Sequence, residues 1–387
     1  MKITQVSTLV VNARMRNWVF VRIDTDQPGL VGWGEASLEW KTRAVVGAVE
    51  DFADLLIGED PTRTGHLWQV LYRQRFFKGG IVAMSALSGI DQALHDIAAR
   101  DLGVPLYRLL GGLVRERVRF YDHLGGGESD AVYRSMSRDQ FAERALESVE
   151  LGFSALKILA VPPGPMLDGH RNLRLAVDLV EAVRSAVGDD VEIMVDLHGR
   201  TSPAMAIQYG AALAPLRPWF LEEPCQPENV DALAEVARAV PIPIATGERL
   251  VTRHGFRELL EKHACAVIQP DVCHCGGISE LMRIASTAEV YSVSVAPHNP
   301  LGPIATMVNL HAALSMPNFL IQEAMRNDVP WRDELVRSPL RVEDGFAFPP
   351  TGIGIGVEID EHVAAQHPYE PEPAIRAFLP DGSVADW

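Results

Sequence analysis

Apolar residues recur along this chain in two rhythms, and the change between them divides it. In the first third, Lys2–Val11 alternates loosely and Trp18–Asp24 is rich in β-formers. Gly29–Ala36 follows the turn signal Asp26-Gln27-Pro28, so the pattern predicts three strands over residues 1–35. Residues 43–58 and 83–101 then carry helical periodicity, separated by the basic, Gly-ended loop Arg75–Gly80. This part reads as an α+β unit.

From about residue 117 short apolar runs recur, each ending in a polar or charged residue. They are Val118–Tyr121 before Asp122-His123, Ala155–Ile158 around Lys157, Val191–Val195 before Asp196-Leu197-His198, and Trp219–Leu221 before Glu222-Glu223. Pro243–Thr246 precedes Glu248, Ala266–Ile268 precedes Asp271, Ser292–Ala296 precedes His298, and Phe319–Ile321 precedes Glu323. Helical stretches lie between them. The first opens on the capping-box pattern Ser137-Arg138-Asp139-Gln140, and Leu173–Val187, Pro203–Leu216, Val230–Val240, Gly255–His263, Ser279–Tyr291 and Ile304–Leu314 follow. Eight alternating strands imply a closed parallel barrel, whose chemistry sits at the C-terminal strand ends. Beyond residue 325, short β-like runs (Leu340–Val342, Phe346–Phe348, Ile355–Ile359) and a Pro-rich tail read as a return to the N-terminal unit. The expected division is 1–115 (cap), 116–325 (barrel) and 326–387 (cap again).

Composition narrows the function. With 387 residues, 47% apolar, the chain can bury a large core, and a net charge of −16 argues against nucleic acid or an anionic membrane as partner. No run has the length of a membrane span or a signal peptide, and four cysteines are too few for a disulfide scaffold, so a reducing cytoplasm is expected. Cys273-His274-Cys275 fits no zinc spacing and reads as loop and core.

Asp196, Glu222 and Glu248 end consecutive strands at intervals of 26 residues. Neighbouring parallel strands bring such ends together, and three converging carboxylates call for a cation. All-oxygen ligation with open positions suits Mg²⁺; the alternative is a solvated acidic rim. His198 shares the strand face of Asp196, which brings an imidazole to the same site. Asp271 and His298 end adjacent strands and read as a general base with its orienting carboxylate. Glu323 completes the ring as a hydrogen-bonding group, and Glu223 is ambiguous from spacing.

This ensemble resembles the mandelate racemase subgroup of the enolase superfamily, and within it the D-galactonate dehydratases. The residues that carry the resemblance are Lys157, Val195-Asp196-Leu197-His198-Gly199-Arg200, Glu222-Glu223-Pro224, Gly247-Glu248-Arg249, Gln269-Pro270-Asp271, Ala296-Pro297-His298 and Glu323. Leu301–Ala305, Gly354–Asp360 and the ending Asp381–Trp387 are similar too. The resemblance implies a (β/α)7β TIM-like barrel capped by an α+β domain built from both chain ends. It implies Mg²⁺ on Asp196, Glu222 and Glu248, with a small anionic sugar acid as substrate. His298 would remove the proton α to the carboxylate, backed by Asp271. Mg²⁺, Lys157 and Glu323 would stabilise the enediolate, and His198 would protonate the departing 3-hydroxyl to leave a 2-keto-3-deoxy acid. Loops near Arg14–Trp18 and Arg75–Gly80 would close over the polyol, and related barrels imply a homo-oligomer.

One position departs: Leu159 stands where the family often has Lys or Asn, on the face of Lys157. This weakens a mandelate-type racemase and the assignment to galactonate, and it raises His123 as a compensating substrate contact beside Lys157, Arg200 and Glu323. An epimerase or cycloisomerase using the same histidines is the enzyme alternative. A non-catalytic binding barrel is the remote one.

Overall fold

The computed structural model describes residues 1–74, 76–125, 137–325, 328–372, 374 and 376–386. The N-terminal part is an antiparallel meander of β1 (Ile3–Ala13), β2 (Arg16–Thr25) and β3 (Val31–Glu35), backed by helices α1 (Thr42–Ala53), α2 (Thr64–Arg73) and α3 (Ile81–Asp101). Strand alternation gives β2 two buried faces. Val19, Val21 and Ile23 pack among the helices of this part, while Trp18 and Phe20 join the main core. Helix α3 crosses the sheet closely enough that a Cβ on Gly34 would meet the Gly89 carbonyl, which fixes glycine there. Sequence periodicity does not reveal α2. Its start has no capping side chain and includes Gly65, and it is held by burial of Leu67, Trp68 and Leu71, with Trp68 Nε1 donating to Gly276 O at 2.9 Å.

Among the described residues, eight parallel strands form the barrel: β4 (Val118–His123), β5 (Ala155–Ile158), β6 (Glu192–Asp196), β7 (Leu221–Glu222), β8 (Ile244–Thr246), β9 (Val267–Ile268), β10 (Ser294–Val295) and β11 (Gln322–Ala324). Each of β4 to β9 pairs with the next in sequence. β11 returns to β4, and Val295 closes the ring by pairing with Phe319, with Leu320 N donating to Val295 O at 2.8 Å. The connecting helices are α4 (Arg138–Glu150), α5 (His170–Val187), α6 (Pro203–Leu213), α7 (Val230–Ala239), α8 (Thr252–Glu261), α9 (Gly277–Val290) and α10 (Pro303–Ser315). Ser137 and Gln140 form the expected reciprocal cap on α4. Inside the barrel Tyr121, Ala155, Met194, Phe220, Ala245, Val267, Ala296 and Ile321 fill one layer, each on a strand or at the residue directly flanking one. The fold is thus an α/β barrel with a capping domain.

The cap is fastened to the barrel by polar groups on α3. Asp91 accepts from Ser279 N and Oγ at 3.0 and 2.7 Å, and Gln92 bridges Glu35 N, Glu35 O and Val272 O. Asp96 accepts from Trp33 N and Ile355 N. Glu35 receives Gly302 N and Ala305 N at the start of α10. The C-terminal segment adds β12 (Val336–Arg337), β13 (Phe346–Ala347), β14 (Glu358–Ile359) and the short α11 (Glu361–Ala365). β13 pairs antiparallel with β4, β12 pairs with β14, and Asn12 N donates to His367 O at 2.8 Å, so this segment touches both parts. Leu340–Val342, expected as β-like, is not a regular strand.

His311 on α10 shows how tightly this seam is fitted. Its Nδ1 accepts Tyr107 N at 3.2 Å and its Nε2 lies 3.2 Å from Ile355 O, so only the neutral ring satisfies both. Burial pushes its pKa down from 6.5 to about 4. The unfolded chain therefore takes up this proton first, and stability is lost as pH falls from 6.5 towards 4. Urea titrations should show His311→Gln removing about 3 kcal/mol of that pH dependence; an unchanged slope would contradict the assignment.

Candidate active site

The side chains at the barrel mouth follow from the filled layer beneath them. Two residues beyond Tyr121, Ala155, Met194, Phe220, Ala296 and Ile321 stand His123, Lys157, Asp196, Glu222, His298 and Glu323. Strand alternation therefore points all six into the barrel axis. Asp196 and Glu222 are direct register partners, as are His123 and Lys157. Glu248 and Asp271 follow β8 and β9 in the turns. His198 arrives differently from the expected strand alternation. β6 ends at Asp196, and His198 sits in a left-handed turn (φ 54°) with its N–H on Asp196 Oδ1 at 2.7 Å. It nevertheless lines the same cavity of about 520 Å³ as Glu248 and His298.

Charge is arranged in two linked groups. Lys157 Nζ lies 2.6 Å from Glu222 Oε1 and 2.7 Å from Glu323 Oε1, 5.5 Å above the Tyr121 ring. Burial opposes the Lys157 charge, but these two carboxylates keep it firmly protonated. Burial likewise opposes ionisation of Glu323, yet Lys157, His298 and the Asn299 N–H (2.7 Å) hold it down at about 2. In the second group, His298 Nδ1 meets Asp271 Oδ2 at 2.8 Å and Nε2 lies 3.5 Å from Glu248 Oε2. The Cys273 N–H on Asp271 Oδ1 (2.6 Å) fixes that carboxylate. Burial disfavours the imidazolium, but Glu248 and Asp271 outweigh it and raise His298.

The three predicted cation ligands share the rim and destabilise one another. Burial raises all three, taking Glu222 to about 7 with Lys157 opposing; Asp196 adds to the penalty on Glu222, and both add to that on Glu248. Glu222 Oε2 is buried without a hydrogen-bond partner. An acceptor-only oxygen left so is costly unless a positive group meets it. This donor set fits a hard cation. As the side chains stand, Glu222 turns to Lys157 and Glu248 to His298, and among the described residues no three His, Cys, Asp or Glu side chains are grouped as a preformed metal site. That includes Cys273-His274-Cys275, whose thiols are buried and free.

Several neighbours carried no clear signal in the sequence. Glu223 receives Thr246 Oγ1 (2.6 Å), Gly247 N (2.9 Å) and Arg249 Nε (2.9 Å), locking the turn that presents Glu248. His274 lines the cavity 3.7 Å from Asp271 and meets Ser85 of α3 at 2.9 Å. Leu38–Lys41 also line the cavity, and nothing in that segment's pattern marks it. Arg200 Nη1 donates to Val161 O, in the loop after β5, at 2.7 Å. Of the expected closing loops, Arg16 pairs with Glu39 at 3.0 Å and donates to Pro300 O, Lys78 lies 5.9 Å from the Tyr72 ring, and Arg75 and Trp387 lie outside the described residues.

A barrel with these strand-end residues, capped in this way, defines an enolase-type protein, and comparison with family models agrees. Residues 140–363 match the enolase C-terminal domain-like model, and residues 3–111 match the mandelate racemase/muconate lactonizing enzyme N-terminal domain. The chain belongs to the mandelate racemase subgroup of the enolase superfamily. Among curated relatives, D-galactonate dehydratases of Ralstonia nicotianae and Pectobacterium atrosepticum are 41% and 38% identical over the whole of both chains. A solved member of the enolase superfamily from Salmonella Typhimurium superposes with a TM-score of 0.87 at 35% identity, covering 95% of this chain and 98% of its own. A candidate galactarate dehydratase from Agrobacterium radiobacter, solved with Na and L-malate bound, gives 0.89 at 35% identity over the whole of both chains. No helix among the described residues is long and apolar enough to cross a membrane.

The Glu223 anchor yields a direct test. Replacing Glu223 by Ala leaves the part-exposed Arg249 guanidinium held by Gln226 alone and frees the turn, so stability should fall by about 2 kcal/mol in denaturant titrations. A loss below about 1 kcal/mol would show that the turn does not depend on it.

Proposed function

We propose that the protein is a Mg²⁺-dependent sugar-acid dehydratase acting on a D-galactonate-like aldonate, with residues 1–115 and 326–387 forming the cap. The observation that carries this reading is the placement of two histidines, His198 and His298, on one cavity with Glu248, His298 being backed by the buried Asp271. The names of the curated relatives support the same substrate class.

Asp196, Glu222 and Glu248 would hold the cation. When bound it supplies the positive charge that a substrate carboxylate needs and relieves the repulsion among its ligands. Lys157 stands ready to pair with a carboxylate oxygen of the substrate, already stripped of water and oriented by Glu222 and Glu323. Asp271 keeps the His298 Nδ1 proton in place, and with Glu248 turned from His298 to the cation, Nε2 would be free to take the proton from C2. As that C–H bond breaks, negative charge develops on the carboxylate oxygens, beside Lys157. Glu323, ionised beside Lys157, accepts a hydrogen bond from a substrate hydroxyl and holds the Lys157 ammonium in place. The electron pair then forms the C2–C3 double bond and the C3–O bond breaks. His198 gives its proton to the leaving hydroxyl, releasing water, and the enol tautomerises to the 2-keto-3-deoxy acid. The cap segment Leu38–Lys41 covers the polyol end.

Turnover of an aldonate and aldarate panel, followed with a keto-acid reagent, should stop in EDTA and return with Mg²⁺. Activity that survives the chelator would refute the cation. His298→Asn should lower kcat by about 10³-fold or more while the substrate still binds. In deuterated water, label entering C2 of recovered substrate without loss of water would identify an epimerase in its place.

A further inference from the structure

His123 ends β4 in register with Lys157, two residues beyond Tyr121 on the inward face of the strand. Its Nδ1 accepts the Gly125 N–H at 3.0 Å. A ring nitrogen that accepts an amide proton carries none itself, so the imidazole is neutral with its proton on Nε2. Burial and the adjacent Lys157 charge act in the same direction and push its pKa down to about 3, against Glu323. Among the described residues no acceptor is bonded to Nε2, and that atom is not one of the buried polar atoms closed off without a partner. On the inward face at the end of the strand, Nε2 is the ring atom left to meet a ligand. On the next strand, the buried Leu159 offers a polyol no hydrogen bond.

We propose that His123 is a specificity-determining hydrogen-bond donor to a substrate hydroxyl on C2 or C3, an inference that rests on the sugar-acid reading above. The substrate carboxylate calls for positive charge, and Lys157 and the cation ligands answer that need. A neutral donor with a fixed tautomer adds direction instead. A buried N–H left without its acceptor also penalises any substrate that lacks the oxygen, which is how one hydroxyl is selected from several.

Calorimetric binding to the His298→Asn protein with Mg²⁺ tests this, using D-galactonate and its 2-deoxy and 3-deoxy analogues. Adding His123→Phe should weaken D-galactonate about tenfold, the loss of one hydrogen bond, and leave one of the deoxy analogues bound as before. His123→Gln, which keeps an N–H, should stay within about threefold of the parent for all three ligands. Equal D-galactonate binding in the Phe variant, or the same loss for all three ligands, overturns the proposal. If the Phe variant melts well below the parent, His123→Ala takes its place under the same criteria. Wild-type protein that binds D-galactonate but dehydrates no sugar acid refutes the reaction alone, and the His123-dependent loss would still stand. A parent that binds none of the three ligands overturns the His123 assignment too.

Discussion

The polar stripe on α3 is the constraint around which the molecule is organised. Ser85, Ser88, Asp91, Gln92 and Asp96 are buried on a helix that would otherwise be a uniform apolar core element. Burying carboxylates costs free energy, and burial does raise Asp91 and Asp96, as it raises Glu35 beside them. What makes the arrangement stable is that each acceptor receives backbone amides from another part of the chain. An apolar interface of the same area would let the cap slide. Directional hydrogen bonds give it one seat, and the cavity-lining segment Leu38–Lys41 is placed by that seat.

The mouth of the barrel uses the opposite logic. There, like charges are crowded and only partly compensated. Lys157 is shared by two carboxylates, His298 stands between two more, and Glu222 keeps one oxygen without a partner. Electrostatic strain of this kind is stored where it can be relieved by ligands, and perturbed carboxyl groups of this sort cluster at functional sites. The filled layer of Tyr121, Met194, Phe220 and their neighbours forms the floor that keeps these charges from relaxing into water below.

Much of this was legible in the sequence because strand alternation is rigid. Once an apolar run is read as a barrel strand, the residue two beyond its inward-facing member is committed to the site, which is why Lys157, Asp196, Glu222, His298 and Glu323 stand where spacing put them. Boundaries were less visible. Regular pairing on the last strand covers Gln322–Ala324, beyond the apolar run Phe319–Ile321, because barrel closure there depends on its neighbours' register. His198 could not be placed by alternation, since a left-handed turn intervenes. Helix α2, the anchoring role of Glu223 and the contact of His274 with Ser85 depend on partners distant in sequence, and no local pattern encodes those.

Strand β2 buries alternate side chains in two different cores, one belonging to the cap and one to the barrel. It is a party wall: neither compartment can be demolished without opening the other. A chimera that exchanges caps between relatives would therefore fail at this strand unless its outward row, with Trp18 and Phe20, is redesigned for the recipient barrel. Natural diversification of substrate range is correspondingly confined to the loops that hang from the wall.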